Sequence, residues 1–468
     1  MSASLLADLL DRVGPQGLLT GADTAGYRGD LARPDGAAFV AVVRPATTAQ
    51  VSAVLSLCRA RGVVVTPRGG GTGLAGGATP ADQRPGVVLS LERMTAIRAV
   101  EPVGNYLIAE AGVTLHAAQH AAREAGRLLG LDHGGAGSSQ IGGNLSTNAG
   151  GNNVLRYGMA RDQVLGLEAV LVDGTVLDLL RPLRKNNAGY DLKQLFLGTE
   201  GTLGVITAAC LRLRPAPSRR GTAFLAIDSP AAALAMLERT LETLGETVTA
   251  FELLPRAALE LHFAHSGTRR EPFSPLGDWS LLIEADTAAS DFDIEAALNR
   301  LLETALEDGL VTDGAIAGSE AQREAFWRLR EGAAIAMIET PGTLKSDTAV
   351  PLSAIPAFIE AATQAVLAIA PTCRPVPFGH IGDGNIHFNV LPPADGELAA
   401  FIGILPDLAM VIEDTAIALG GTISAEHGVG SLKRAALRRM LPEPQLDLMG
   451  QIKRLLDPEN LLNPGKVV

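Results

Sequence analysis

Cysteine is scarce in this chain. Its three residues, Cys58, Cys210 and Cys373, lie far apart among 468 positions and offer neither a CxxC pair nor a disulfide framework. That usage suits a reducing compartment. Positive charge is also short: 39 Lys and Arg against 51 Asp and Glu leave a net charge of −12, which argues against a nucleic-acid or anionic-membrane surface. No stretch of about 18 uncharged apolar residues is present, so no transmembrane segment is expected. The N-terminal MSASLLADLLDRVGP lacks a basic n-region and reads as a short amphipathic helix, not a signal peptide. These absences predict a cytoplasmic protein, with peripheral membrane attachment as the one variation kept. Solenoid repeats and low-complexity tracts are missing too.

What is present is a large apolar fraction, 47% of residues, enough for a sizeable core and for two to four domains. Glycine is in excess at 52 residues without a collagen period, so it must serve loops where backbone comes close to something. Residues 35–215 alternate short apolar strands with two glycine-rich stretches, and Pro215 and Pro217 mark a boundary. Beyond it, two successive strand–helix–strand units (TAFLAID to VTAFELLP, then WSLLIEAD to LVTDGAIA) predict a split-βαβ sheet with helices on one face. A long helix follows Ser319 as its cap.

The first glycine stretch, PRGGGTGLAGG (67–77), contains a GxGxxG match at Gly71–Gly76. It is not read as a dinucleotide fingerprint, which needs a helix starting inside the motif. Only ATPADQRPG, with two prolines, separates the loop from the next strand. A run of inward-turned amides, an anion-binding nest, is the alternative. A second stretch, GAGSSQIGGNLSTNAGGNNVLRYG (135–158), again mixes Gly with Ser, Thr and Asn. Two such loops suit a large phosphate-bearing cofactor.

In HIGDGNIH (380–387), Asp383-Gly384 is a two-residue hairpin signal. Centring the turn there pairs His380 with His387, whose Cβ atoms would lie about 4.5–5.5 Å apart on one face. Two imidazoles so placed can share a metal ion. Asn389 points to the same face. Ser424-Ala425-Glu426-His427-Gly428 is the other compact acid–imidazole element, a turn in which Glu426 can aim at a metal while His427 aims at a bound hydroxyl. Asp383 is accounted for by the turn. His116 and His120 of HAAQH read as an exposed helix face, and His133, His262 and His265 receive no functional assignment.

PRGGGTGLAGG, IGGNLSTNAGG, RYG, LGLEAVLVDGTVL and GYDLKQLFLGTEGTLGVIT resemble the FAD domain of the vanillyl-alcohol-oxidase and para-cresol-methylhydroxylase superfamily, and GHIGDGNIH and SAEHG resemble the metal motifs of its D-2-hydroxy-acid dehydrogenase branch. The resemblance runs from about residue 35 to the C-terminus. It implies an α+β architecture: an FAD-binding domain over 1–217, a substrate or cap domain over 218–419 carrying the hairpin, and a C-terminal segment over 420–468 that packs back on the FAD domain. It implies that Pro67, Arg68, Gly69, Gly70, Gly71 and Thr72, with Gly73, Gly76 and Gly77, wrap the FAD pyrophosphate. It implies a second lining from Gly137, Ser138, Ile141, Gly142, Gly143 and Asn144, continuing through Thr147, Asn148, Gly150, Gly151 and Tyr157. Glu200, Gly201, Gly204, Val205, Ile206 and Asn463 complete that lining. No His stands inside the first loop, so non-covalent FAD is expected.

The same resemblance implies His380, His387 and Glu426 as metal ligands and His427 as general base. His and carboxylate donors suit Zn²⁺, with Mn²⁺, Fe²⁺ and Co²⁺ also fitting. Arg330, Lys345 and Asn389 match substrate-binding positions, Lys345 being expected mid-strand. The D-2-hydroxyglutarate enzymes carry a threonine one turn after the arginine, and this chain has Ala334 there. The implied reaction oxidises a D-2-hydroxy acid to its 2-oxo acid, with hydride transfer to flavin N5. No haem or iron–sulfur motif is present, so electrons go to an external acceptor, an electron-transfer flavoprotein or a quinone. A homodimer is common among relatives. Three competing readings are a metallohydrolase using the His-His-Glu cluster, a non-catalytic FAD-binding protein and an oxidase using O₂.

Overall fold

The buried positions of the helix Thr48–Arg61 are Val51, Val54, Leu55 and Cys58, spaced i, i+3, i+4, i+7, which is one face of a 3.6-residue period. Thr47 caps its start by accepting from the N–H of Gln50, and Gly62 ends it at φ +62°, a left-handed turn glycine takes without penalty. Against this helix lie the parallel strands Ala41–Val43, Gly86–Ser90 and Val64–Arg68. The amphipathic N-terminal helix Ser2–Val13 adds Leu5, Leu9 and Val13 to the same core. The protein is described from a computed structural model covering residues 2–468.

The chain divides into two units. The first comprises Met1–Gly151, Tyr157–Ala216 and Glu426–Val468. It holds the parallel sheet and a five-stranded antiparallel sheet in the order Ile97–Glu101, Tyr106–Glu110, Val205–Arg212, Val164–Val170, Val176–Leu179. The strand Val64–Arg68 runs into the first glycine stretch, and residues 69–85 are irregular. The absent helix is the reason the GxGxxG match does not make a dinucleotide fold. The second stretch is not all loop: Ile141–Ser146 winds into a short helix.

The second unit comprises Asn152–Arg156 and Pro217–Ala425. Its sheet has the order Val248–Pro255, Trp279–Thr287, Arg219–Ile227, Asp313–Ile316, all antiparallel. This is the split-βαβ arrangement that the strand–helix–strand pattern predicts. Pro230–Leu244 and Ile294–Glu307 pack on one face through Met236, Leu237, Leu298 and Leu301. The opposite face is covered as well, by Arg256–Ser266 and Glu320–Glu339, with Leu259, Phe263, Phe326 and Leu329 against Phe224 and Leu282. The strands Val248–Pro255 and Trp279–Thr287 are buried almost throughout, as a sheet covered on both sides requires. Ser319 caps Glu320–Glu339 as predicted, accepting from Gln322 N–H. A segment at Leu352–Ile369 is long and apolar enough to cross a membrane by length and composition. Its stripe of Ile355, Phe358, Ile359, Ala362 and Val366 is buried in the unit's own core.

Candidate functional site

In the second unit, the strand Arg374–Phe378 pairs with Asn385–Leu391 so that Phe378, not His380, stands opposite His387. The expected two-residue turn is therefore wrong by two positions. The cause is local: Gly379, at φ +148°, leaves the hairpin and exchanges two backbone hydrogen bonds with Leu253 of the neighbouring sheet, at 2.9 and 3.0 Å. Asp383 still serves the turn, its carboxylate accepting from Asn385 N–H at 3.2 Å, and burial pushes its carboxyl up to about 6. The excursion nevertheless brings the imidazoles together. The rings of His380 and His387 are 5.4 Å apart, nearly perpendicular, with a ligand nitrogen of each within 4.8 Å of the other.

The excursion also delivers His380 to Glu252. Its Nδ1 lies 2.6 Å from Glu252 Oε1, while Arg330 Nε donates to Oε2 at 2.6 Å. Burial alone would raise the Glu252 carboxyl, but the charges of His380 and Arg330 outweigh it and hold it at about 2. A carboxylate on Nδ1 fixes the ring and leaves Nε2 as the atom that can bind a metal. Arg330 is buried and lies over the Phe378 ring at 4.7 Å, so it is no solvated helix charge. With Nε committed, its terminal nitrogens are what it can offer a ligand. Lys345 is exposed and outside any strand, in the segment between Glu339 and Thr348, with Nζ 3.4 Å from the Ile338 carbonyl. Asn389 is buried and its amide donates to the His387 carbonyl at 3.3 Å.

Sequence reasoning missed two acids here. Glu252 sits inside an apolar strand, VTAFELLP, and that break in the pattern was its signal. Asp347 is fully buried and accepts from the Asn385 amide at 3.2 Å and the Ser424 hydroxyl at 3.3 Å. Its backbone carbonyl also accepts from Ala425 N–H at 3.3 Å, which anchors the chain one residue before Glu426.

In the first unit, the two glycine stretches meet backbone to backbone. A Cβ on Gly70 would fall 2.0 Å from the Ser138 carbonyl, and one on Gly69 would fall 3.3 Å from Gly143 Cα. Among the described residues, none of the backbone N–H groups of Gly69 to Leu74 finds an acceptor in the chain. Six consecutive undirected donors fit an anionic group such as a pyrophosphate. Gly137 has no atom within 4 Å of where a Cβ would stand, so its lack of a side chain is not explained by packing. These features fit the cofactor that the motifs imply.

Other expected lining residues are spent differently. The Arg68 guanidinium donates to the carbonyls of Gly26 and Gly29. Ile141 and Ile206 belong to one core cluster, and Val205 is buried in the core beneath the parallel sheet. Asn148, at φ +52°, accepts from Arg161 N–H. Tyr157 packs against Gly130. The Asn463 amide bridges the carbonyls of Gly77 and Glu200, at 2.9 and 2.7 Å. His133, passed over in the sequence, lies against this stretch: its Nδ1 accepts from Gly135 N–H and its Nε2 is 3.3 Å from Asn144 Oδ1. His116 and His120 are exposed, as expected.

The Glu426–His427 turn belongs to this first unit. A Cβ on Gly150 would fall 2.7 Å from Glu426 Oε1, so the second glycine stretch and the acid touch. A ligand atom of Glu426 and one of His427 lie within 4.8 Å.

Comparison with known proteins adds identity to this geometry. Residues 39–180 match the family "FAD binding domain" and residues 216–467 match "FAD linked oxidases, C-terminal domain". The chain is 40% identical over 430 residues to D-2-hydroxyglutarate dehydrogenase of Xanthomonas citri, covering 92% of this chain and 89% of that one. It is 38% identical over 432 residues to the mitochondrial D-2-hydroxyglutarate dehydrogenase of Bos taurus, covering 91% and 76%. A solved structure of p-cresol methylhydroxylase with substrate bound shares the fold, with a TM-score of 0.78 and 17% identity over 99% of this chain and 96% of that one. The chain thus belongs to the FAD-linked D-2-hydroxy-acid dehydrogenases.

Proposed function

We propose that the protein is an FAD- and metal-dependent dehydrogenase that oxidises a D-2-hydroxy acid, D-2-hydroxyglutarate or a close analogue such as D-malate or D-lactate, to the 2-oxo acid. The observation that carries the metal requirement is the Glu252–His380 contact at 2.6 Å, because a buried carboxylate on Nδ1 is how proteins orient a metal-binding imidazole. His380, His387 and Glu426 would hold a divalent ion, Zn²⁺ first and Mn²⁺, Fe²⁺ or Co²⁺ as alternatives. The glycine stretches of residues 1–217 would hold non-covalent FAD, and residues 218–419 the substrate.

When bound, FAD supplies a two-electron acceptor and the divalent ion a Lewis-acid centre. The chain's own residues supply proton transfer and orientation. His427 accepts the proton of the substrate α-hydroxyl at a ring nitrogen, a role worth about 10²–10⁴ in rate for a positioned base. The terminal nitrogens of Arg330, the Lys345 ammonium and the Asn389 amide bind the carboxylate end. Glu252 orients His380 and balances the Arg330 charge, so the guanidinium is not buried alone. Electrons leave to an external carrier, an electron-transfer flavoprotein or a quinone. Cytoplasmic residence and a homodimer complete the reading.

Anaerobic mixing with a panel of D- and L-2-hydroxy acids tests it. Bleaching of the flavin by a D acid, lost on chelation and restored by Zn²⁺, is the expected outcome. Bleaching at full rate after thorough metal removal would refute the metal role, and peroxide formed stoichiometrically in air would make the protein an oxidase.

A further inference from the structure

Glu200 carries an arrangement that cofactor lining does not explain. It is buried and sits at φ +53°, a conformation that costs a non-glycine residue about 1 kcal/mol or more and persists only where its surroundings impose it. Every polar group it has is engaged. Its N–H donates to the Ser146 carbonyl at 2.8 Å, and its carbonyl accepts from Asn463. Its carboxylate accepts from Val429 N–H at 2.7 Å and from Gly430 N–H at 3.0 and 2.9 Å. Two glycines clear space for that carboxylate: a Cβ on Gly77 would come 2.8 Å from its Oε2 and one on Gly428 2.8 Å from its Oε1. Gly77 belongs to the first glycine stretch. Gly428, at φ +82°, follows His427 directly. The Lys466 ammonium, donating to the Thr79 carbonyl at 2.6 Å, ties the chain's C-terminal end to the same loop.

We infer that Glu200 is a positioning residue: its carboxylate, bonded to the backbone just past Glu426 and His427, fixes the direction of that acid–imidazole turn relative to the flavin cradle. Both carboxyl oxygens accept backbone N–H bonds in a buried site, where burial pushes the group's pKa up. Without it, Val429 and Gly430 would have no acceptor there and the turn could swing. This rests on Glu426 and His427 being the metal ligand and base of the proposed reaction.

The test is Mn²⁺ binding to flavin-loaded, metal-stripped holoenzyme, read by the loss of the free-ion EPR signal, with FAD content measured on the same samples. Glu200→Gln preserves size but turns an amide NH₂ toward a backbone N–H. It should retain FAD, weaken Mn²⁺ binding by about 10-fold, as loss of a supporting partner outside the ligand set typically does, and lower kcat more than it raises KM. Gly428→Ala, which drives a methyl at Oε1 of the same carboxylate, should reproduce the effect and serves if the first variant folds poorly. Wild-type Mn²⁺ affinity in Glu200→Gln at full FAD content would overturn the inference while leaving the metal reading intact. Parallel loss of FAD and Mn²⁺ would overturn it too, since that is general loosening. No Mn²⁺ uptake by the wild type would overturn the metal reading itself and this inference with it.

Discussion

The glycine cradle of the first unit and the Glu252–His380–Arg330 cluster of the second prepare for ligands in opposite ways. The cradle removes side chains. Its backbone strands approach until a methyl would clash, and the N–H groups of Gly69 to Leu74 are left for something outside the chain. The cluster buries side chains and pairs them, a guanidinium and an imidazole on one carboxylate. A cradle tolerates almost no added atom but carries no net charge of its own. A charged cluster tolerates no removed partner, because each survivor is stranded in a low dielectric. Damage to the two should therefore look different.

The largest effect is expected at the base. His427→Asn should lower flavin reduction by about 10²–10⁴-fold while FAD content stays normal, measured by rapid mixing with the best D acid. Glu252→Ala should come next, strongly destabilising at about 3–5 kcal/mol because it leaves the Arg330 guanidinium buried without its counter-charge and His380 Nδ1 without its partner; thermal unfolding would show it. An unchanged melting temperature would mean the cluster is not the charge-balanced core described above. Gly70→Ala attacks the cradle. Its methyl meets the Ser138 carbonyl, so a loss of FAD affinity with about 1–3 kcal/mol of overpacking cost is expected. Gly137→Ala sharpens the contrast, since nothing in the chain stands near its Cβ. Stability should move by less than about 0.5 kcal/mol, and any fall in FAD affinity then reports ligand approach alone.

The same contrast explains what could be read from the chain without coordinates. The glycine stretches were legible because close backbone approach leaves a compositional trace, and the missing crossover helix followed from two prolines in ATPADQRPG. The split-βαβ sheet was legible from periodicity. The His380–His387 pairing was right in outcome and wrong in register, because Gly379 answers to Leu253, a residue 126 positions away whose pull leaves no local mark. Glu252 and Asp347 escaped for the same reason: a lone acid, whether in the apolar strand VTAFELLP or in the polar segment TLKSDT, becomes meaningful only when its long-range partners are known. Arg330 was placed at the substrate only by resemblance, because nothing near it in sequence reveals Glu252.

The most direct test of the metal-dependent dehydrogenase is anaerobic flavin reduction by D-2-hydroxyglutarate, D-malate and D-lactate in metal-stripped protein, before and after Zn²⁺ is returned. We expect the yellow absorbance to persist without metal and to bleach with at least one D acid once Zn²⁺ is restored. Equal bleaching in both conditions, or none with any D acid in either, would contradict the function proposed for this chain.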